Sequence, residues 1–342
     1  MMPKRLGSSD TMSITRLIVL GLALAGEAGI SASQIATQAP QRATVASEVR
    51  RTVVDDLGRT ISVSAPPLRI VSLTPAATEM LFAAGAGAQV IATVEYSSEP
   101  PAARAIVRIG DAAMIDMERL VALRPDVVVA WPTGGNPAQQ ARIATLGIPL
   151  YEQQLEHLTD LPGEIRRLGA LAGTPSAAER AAHELETRLA ELERLYGAGA
   201  GSAAQRPSVL LQVWNRPIYT VGGRHLMSDA VRICGARNVF ADLPEAGPVV
   251  DIEAVIARNP DIILVLAPPG EGAAWAADWQ RFPSLAAVRG ARVVAFEDQA
   301  LSRLGPSVVE ATEKLCRTLA RVSRAGAAGA AAPRAAVSRG SY

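Results

Sequence analysis

Aromatic side chains are scarce in this sequence, 4% of 342 positions; there are three histidines, two cysteines and no dominant charge, the net being +1. Each shortage excludes something. Without a basic surplus or a long like-charge run there is nothing to neutralise a phosphate backbone, which removes nucleic acid as a partner. His157, His183 and His225 form no spaced cluster with carboxylates or thiols, so no metal site is expected. The chain also lacks a Gly-x-Ser-x-Gly elbow and a phosphate loop, which leaves the case for an enzyme thin, and no catalytic residue and no resident cofactor are expected. Long apolar runs are missing too. The one at 17–26 has about ten residues, half of the roughly 20 that a membrane span needs.

That short run follows Lys4, Arg5 and Arg16 and precedes the small residues Ser31, Ala32 and Ser33, the layout of a secretory signal, with cleavage expected near Ser33. No cysteine lies nearby to accept a lipid, so a free periplasmic protein is expected. Cys234 and Cys316 then sit in an oxidising compartment, where a bridge between two helices of one lobe is the reading, with two buried free thiols as the alternative.

What is present is 49% hydrophobic, enough for two cores of ordinary size. Short β-branched runs (69–73, 89–94, 126–131, then 208–213, 261–266, 292–296) alternate with stretches of helical period. This is the pattern of an α/β fold with buried parallel strands. The segment 157–196 has no strand signal and reads as helix throughout, with Ala182, Leu185, Leu189, Leu192 and Leu195 at helical spacing over 176–196. The organisation expected is a signal peptide at 1–33, a leader and N-terminal segment at 34–66, an α/β lobe at 67–156, a helical connector at 157–200, a second α/β lobe at 201–324 and a disordered Ala/Gly/Arg tail at 325–342. A stiff helical connector predicts limited movement between the lobes.

An internal repeat supports two lobes. Asp116-Met-Glu-Arg-Leu-Val-Ala-Leu-Arg-Pro-Asp-Val-Val-Val129 is echoed by Asp251-Ile-Glu-Ala-Val-Ile-Ala-Arg-Asn-Pro-Asp-Ile-Ile-Leu264, identical at five of fourteen positions. Each copy reads as a helix capped by Asp, stopped before Pro-Asp and feeding a strand. Glu118 and Glu253 occupy the same place in both. The helix dipole alone favours an acid there, but two matched carboxylates on a pseudo-symmetric face also suit docking on a two-fold membrane partner through arginines.

Ligands of open parallel sheets bind beyond the strands' carboxyl ends. That rule selects Thr74, Pro75 and Ala76, then Tyr96, Trp131 and Gly134 in the first lobe, and Trp214, Tyr219 and the segment 297–303 with Asp298, Gln299 and Arg303 in the second. Five of the 13 aromatics, counting Tyr151, fall in or near such loops, which suits a flat, largely apolar ligand.

The motifs Arg69-Ile-Val-Ser-Leu-Thr-Pro-Ala-Ala-Thr-Glu79, Tyr96-Ser-Ser-Glu-Pro-Pro101, Met117-Glu-Arg-Leu-Val-Ala-Leu-Arg-Pro-Asp126, Ala130-Trp131 and the pair Cys234 and Cys316 resemble the periplasmic binding proteins of ABC importers for cobalamin, haem and ferric siderophores, the class III type with a rigid helical connector, from about residue 69 to 319. They are most similar to its cobalamin-binding branch. The resemblance implies two parallel-sheet α/β lobes joined by a long connector helix, and a monomer that delivers a corrinoid to a permease dimer with its ATPase. It also implies a cleft lined by Ala76, Tyr96, Trp131, Trp214 and Tyr219 with polar contacts from Asp298, Gln299 and Arg303, docking through Glu118 and Glu253, and a disulfide between Cys234 and Cys316. Two tryptophan positions of the branch correspond to Ala112 and Gly247, and a phenylalanine to Val213. These departures keep a ferric siderophore or haem open as cargo. A sensor or enzyme component that uses the same fold is the reading from another class.

Overall fold

The computed structural model describes residues 50–64, 67, 69–111, 113–132, 135–197 and 206–330, with the side chains of its last helix described as far as Arg324. The signal stretch 1–33, the leader up to residue 49, Ala112, Gly134 and residues 331–342 lie outside the described residues.

An antiparallel hairpin comes first, β1 (Arg50–Val54) against β2 (Thr60–Ser64). Asp55 closes its turn by accepting from the Leu57 and Arg59 amides and from the Arg59 guanidinium. Five strands then make the first sheet: β3 (Ile70–Ser72), β4 (Val90–Thr93), β5 (Val107–Arg108), β6 (Val127–Ala130) and β7 (Leu150–Glu152), in the order β5-β4-β3-β6-β7. Every pairing is parallel. The helices α1 (Pro75–Ala83), α2 (Met117–Ala122) and α3 (Pro137–Thr145) connect them. The connector follows as α4 (Leu161–Ala172) and α5 (Pro175–Leu192).

The second sheet takes β8 (Ser208–Gln212), β10 (Arg237–Asn238), β12 (Ile262–Val265) and β13 (Val293–Ala295), again all parallel, in the order β10-β8-β12-β13. A separate ribbon pairs β9 (Ile218–Tyr219) with β11 (Val249–Val250). The helices of this half are α6 (Leu226–Ile233), α7 (Ile252–Arg258), α8 (Gly272–Asp278), α9 (Ala286–Arg289), α10 (Ala300–Arg303) and α11 (Val308–Ala330). The α/β reading with two parallel sheets is therefore the observed architecture. Among the described residues no helix is long and apolar enough to cross a membrane.

Strand alternation assigns each residue to a side. Ile70, Val127 and Val129 face one core, and Val71, Val128 and Ala130 face another on the opposite side of the sheet. In the second sheet Val209, Leu211, Ile262 and Leu264 join the same core as Ile70, whereas Leu210, Ile263 and Val265 face a third. The shared core runs through Leu161, Ile165 and Leu168 of α4 and Leu189 and Leu192 of α5.

The connector corrects one expectation. The stretch 157–196 is broken between α4 and α5, because Gly173 takes a left-handed conformation (φ 78°) that ends α4, and Pro175 opens α5 at its first turn. Leu195, expected on the buried stripe, is exposed: the backbone widens into a π-helical turn at Glu193–Gly197 and rotates it outward. A second correction lies at the C-terminal end, where α11 continues to Ala330, six residues into the stretch read as tail; its alanines have the highest helix propensity of any residue.

The repeat is realised in both halves. Asp116 and Asp251 cap α2 and α7 by accepting from the Arg119 and Ala254 amides. The Asp of each Pro-Asp then stitches strand starts together, Asp126 accepting from the Arg69 amide at 3.0 Å and Asp261 from the Ser208 amide at 2.9 Å. Cys234, the C-cap of α6, is bonded to Cys316 of α11 with 4.6 Å between Cα atoms, so the bridge joins two helices of the second half as expected. It closes a loop of 82 residues. Replacing both cysteines by alanine is expected to cost about 4 kcal/mol, read as a lower urea midpoint at unchanged ligand stoichiometry.

Candidate functional site

The first sheet's carboxyl ends supply one wall of a cleft. In strand order the residues just past β4, β3, β6 and β7 are Tyr96, the Thr74–Ala76 turn, Trp131 and Gln153, and all of them line one cavity of about 290 Å³. The opposite wall is Leu226 at the start of α6 together with Gln299, Ser302, Arg303 and Leu304 around α10. A second recess of about 290 Å³ shares Trp131, Leu155, Leu226 and Leu304 with the first, so the two are parts of one cleft between the sheets.

Local chemistry positions each group. Thr74 caps α1, its side chain accepting from the Ala77 amide at 3.0 Å, and Pro75 fills the first helical position. Trp131 is held through its carbonyl, which accepts from Gln140 Nε2 at 2.9 Å. Tyr96 has a left-handed backbone, φ 65°, which a bulky residue adopts at a cost. Tyr96 is 83% exposed, so the strain is not offset by core packing, and the residue lines the cleft.

Among the described residues, Arg303 is the only charged one lining the first cavity, and it is neutralised in place. Its Nε donates to Glu79 Oε1 of α1 at 2.9 Å, and the other Glu79 oxygen accepts from the Ser307 amide at 3.2 Å. Glu79 is nearly buried and lines the neighbouring groove that Arg303 also borders, so this pair ties α1 to α10 beside the cleft. At the recess, Arg224 and Glu156 form a second pair across the walls at 2.5 Å, and the hydrogen bond and charge of Arg224 hold Glu156 below the usual carboxylate range.

Below Gln153 lies a buried polar cluster. Glu164 Oε1 accepts from Gln153 Nε2 at 2.7 Å, and Oε2 accepts from the Tyr151 hydroxyl at 2.9 Å and from Arg167. Arg167 also pairs with Asp56. Burial, and then the nearby Asp56 charge, push Glu164 up against the opposing influence of Arg167 and the two neutral donors.

Of the residues selected from sequence, Ala76, Tyr96, Trp131, Gln299 and Arg303 are brought together, and Trp214, Tyr219 and Asp298 are not part of this lining. Trp214 packs edge-on against Trp275, 5.7 Å between ring centres, and stands half exposed beside Tyr219 on the β9–β11 ribbon. Asp298 faces a separate groove of about 550 Å³ and pairs with Lys314 Nζ at 2.8 Å. Burial acts to raise its carboxyl, but the hydrogen bond from Lys314 and the Ala300 amide outweigh it and hold Asp298 low. Tyr151 is fully buried in β7. Glu118 and Glu253 are exposed in the first turns of α2 and α7 and have no side-chain partner among the described residues. Gly247 is exposed, and a Cβ there would meet nothing within 4 Å.

Sequence reasoning missed Gln153, Met80, Leu155 and Leu226. Gln153 was hidden because β7 is three residues long and preceded by Pro149, below the length at which alternation identifies a strand.

His225, at the recess, caps α6 through Nδ1, which accepts from the Met227 amide at 3.1 Å, and burial pushes its pKa down to about 4 from 6.5. Protonation would destroy the acceptor. Because the unfolded chain binds the proton more readily, stability from this group is complete above about pH 6.5 and falls as pH drops towards 4, by up to about 3 kcal/mol. His225→Asn keeps a capping oxygen and is expected to remove that slope in denaturant midpoints measured across pH 4 to 7.

A family model described as "Periplasmic binding protein" matches residues 70–298. The chain is 34% identical over 257 residues to a vitamin B12-binding protein of Pectobacterium carotovorum subsp. carotovorum, covering 75% of this chain and 90% of the relative. The crystal structure of the periplasmic vitamin B12 binding protein BtuF of Vibrio cholerae superposes with a TM-score of 0.68 at 31% identity, over 76% of this chain and 99% of that one. The apo form of the periplasmic heme-binding protein RhuT from Roseiflexus sp. RS-1 superposes with a TM-score of 0.63 at 26% identity, over 76% and 99%.

Proposed function

The chain belongs to the periplasmic binding protein family of non-enzymatic solute carriers, and from that premise we propose that it binds a corrinoid, cobalamin or a related cobamide, and delivers it to an ABC importer. The observation that carries the reading is the match to vitamin B12-binding relatives over nine-tenths of their length, in a chain whose cleft offers two aromatic rings, Tyr96 and Trp131, to a flat macrocycle. The corrinoid is cargo, not a cofactor. The segment 1–33 serves as a cleaved export signal, the mature chain works in the periplasm as a monomer, and 67–156 and 201–324 act as the two lobes about the connector at 157–200.

Burying one ring of 150–250 Å² against the cargo contributes several kcal/mol of gross transfer free energy. Trp131→Ala is expected to weaken corrinoid binding at least tenfold without shifting the thermal midpoint by more than a few degrees. Calorimetric titration of residues 34–342 with cyanocobalamin and cobinamide, with haemin and a ferric siderophore alongside, tests the cargo. Tight one-to-one corrinoid binding is expected. A haem or ferric complex is the second reading, favoured by the exposed Tyr96 phenol, an oxygen donor suited to iron; binding of haemin in place of both corrinoids would replace the cargo and keep the transport role.

The partner is a permease dimer with its ATPase, met through Glu118 and Glu253. What supports this is their equivalence: each is the second residue of a helix that feeds a parallel strand, so each stands at the carboxyl-end face of its own sheet. Both are exposed and unpaired among the described residues. Charge reversal at both, Glu118→Lys with Glu253→Lys, is expected to abolish uptake by cells while leaving the calorimetric Kd unchanged. Uptake at the wild-type rate in that double variant would remove docking through these residues.

A further inference from the structure

Among the described residues that line the cleft, neither cation is left free. Arg303 of the first cavity is paired with Glu79, and Arg224 at the recess is paired with Glu156. Glu245 at the recess is an anion, and what remains in the first cavity is neutral and directional. Gln153 is 4% exposed, its Nε2 donates to Glu164 Oε1 at 2.7 Å and lies 3.4 Å from Met80 Sδ, and its Oε1 has no donor among the described residues. An amide nitrogen has two hydrogens to give and its oxygen only accepts. With the NH2 end committed to a carboxylate that is itself fixed by Tyr151 and Arg167, the carbonyl is the end left for the cavity. On the opposite wall Gln299 repeats the arrangement, its Nε2 donating to the Ala267 carbonyl at 3.2 Å.

We propose that Gln153 is a specificity-determining acceptor, held carbonyl-outward by the positioning residue Glu164, and that it selects a macrocycle whose periphery carries neutral primary amides over one that carries carboxylates. The inference rests on the corrinoid reading and narrows it. A primary amide donates to Gln153 Oε1, whereas a carboxylate at the same place has no hydrogen to give and brings an unpaired charge to a site with no free cation, a loss larger than that of one hydrogen bond. Porphyrin propionates fall on the disfavoured side, and the acetamide and propionamide arms of a corrinoid on the favoured one.

The test compares cyanocobalamin with its separated monocarboxylate derivatives, in each of which one side-chain amide is hydrolysed, by titration calorimetry on the mature protein. Wild type is expected to bind at least one derivative tenfold or more weakly than the parent. Gln153→Leu is expected to weaken the parent about tenfold and that derivative less than threefold, so the ratio between them collapses. In Glu164→Gln the new amide can donate to Gln153 Oε1 and turn the side chain around, so the parent-to-derivative ratio is expected to fall towards one; a purely structural role would lower both affinities together and keep the ratio. The wild-type comparison needs no variant to fold. Equal affinity of wild type for parent and every derivative overturns the inference while leaving the corrinoid cargo in place. Haemin binding without corrinoid binding, or no binding of any of these ligands, overturns the cargo reading and this inference with it.

Discussion

The rest of the structure depends on one hydrophobic core that does not stop at either sheet. Ile70, Val127 and Val129 of the first sheet and Val209, Leu211, Ile262 and Leu264 of the second belong to the same packed cluster, bridged by leucines of α4, α5 and α6. Interiors at crystal-like density resist partial separation, because moving one wall away would open voids along the whole contact. The connector is therefore a packed helix pair and not a pair of strands that could bend. The walls of the cleft inherit their spacing from it, and the Glu79–Arg303 and Glu156–Arg224 pairs pin that spacing beside the first cavity and at the recess.

With the spacing set, parallel topology does the placing. Four neighbouring strands end on the same side, and the residue or turn after each one reaches the cavity: Tyr96, Thr74 to Ala76, Trp131 and Gln153. Packing on both faces of the sheet leaves the strand ends as the one edge where polar and aromatic side chains can meet a ligand. The repeat puts the same device in the second half, down to the aspartates that cap α2 and α7 and those that tie strand starts together.

Much of this was legible in the sequence, for reasons that can be stated residue by residue. Buried parallel strands need continuous β-branched runs, so β6 and β12 announce themselves in Asp126-Val-Val-Val and Asp261-Ile-Ile-Leu. Asp before a helix and Pro after it mark ends by local hydrogen bonding, independent of the fold. The strand-end rule selected Ala76, Tyr96 and Trp131, which line one cavity, because their strands were visible. It passed over Gln153 because β7 is short and lacks the β-branched run that marks β3, and it also selected Trp214, Tyr219 and Asp298, which lie outside this cavity because proximity to a strand end does not determine which way a loop folds back. The Gly173-Thr174-Pro175 break was written in the sequence and obscured by helical periodicity on both sides of it. The hairpin at 50–64 gave weaker notice: Ile61 and Val63 alternate, but the partner strand buries little.

The arrangement also explains why charge could be spent on architecture and not on the ligand. A rigid cleft gains affinity by being formed in advance, since few side chains have to be ordered when the ligand arrives. That same rigidity makes an unpaired charge in the cleft expensive before binding and hard to re-satisfy after it. Tying Arg303 to Glu79 and Arg224 to Glu156 resolves both demands at once, because each pair holds the walls together and removes a charge that would otherwise wait for a partner. The proposed function then assigns recognition to aromatic faces, which are tolerant in direction, and to amide carbonyls, which are not. In the proposed function Tyr96 and Trp131 select the kind of surface the cargo has, and Gln153 and Gln299 the atoms at its edge.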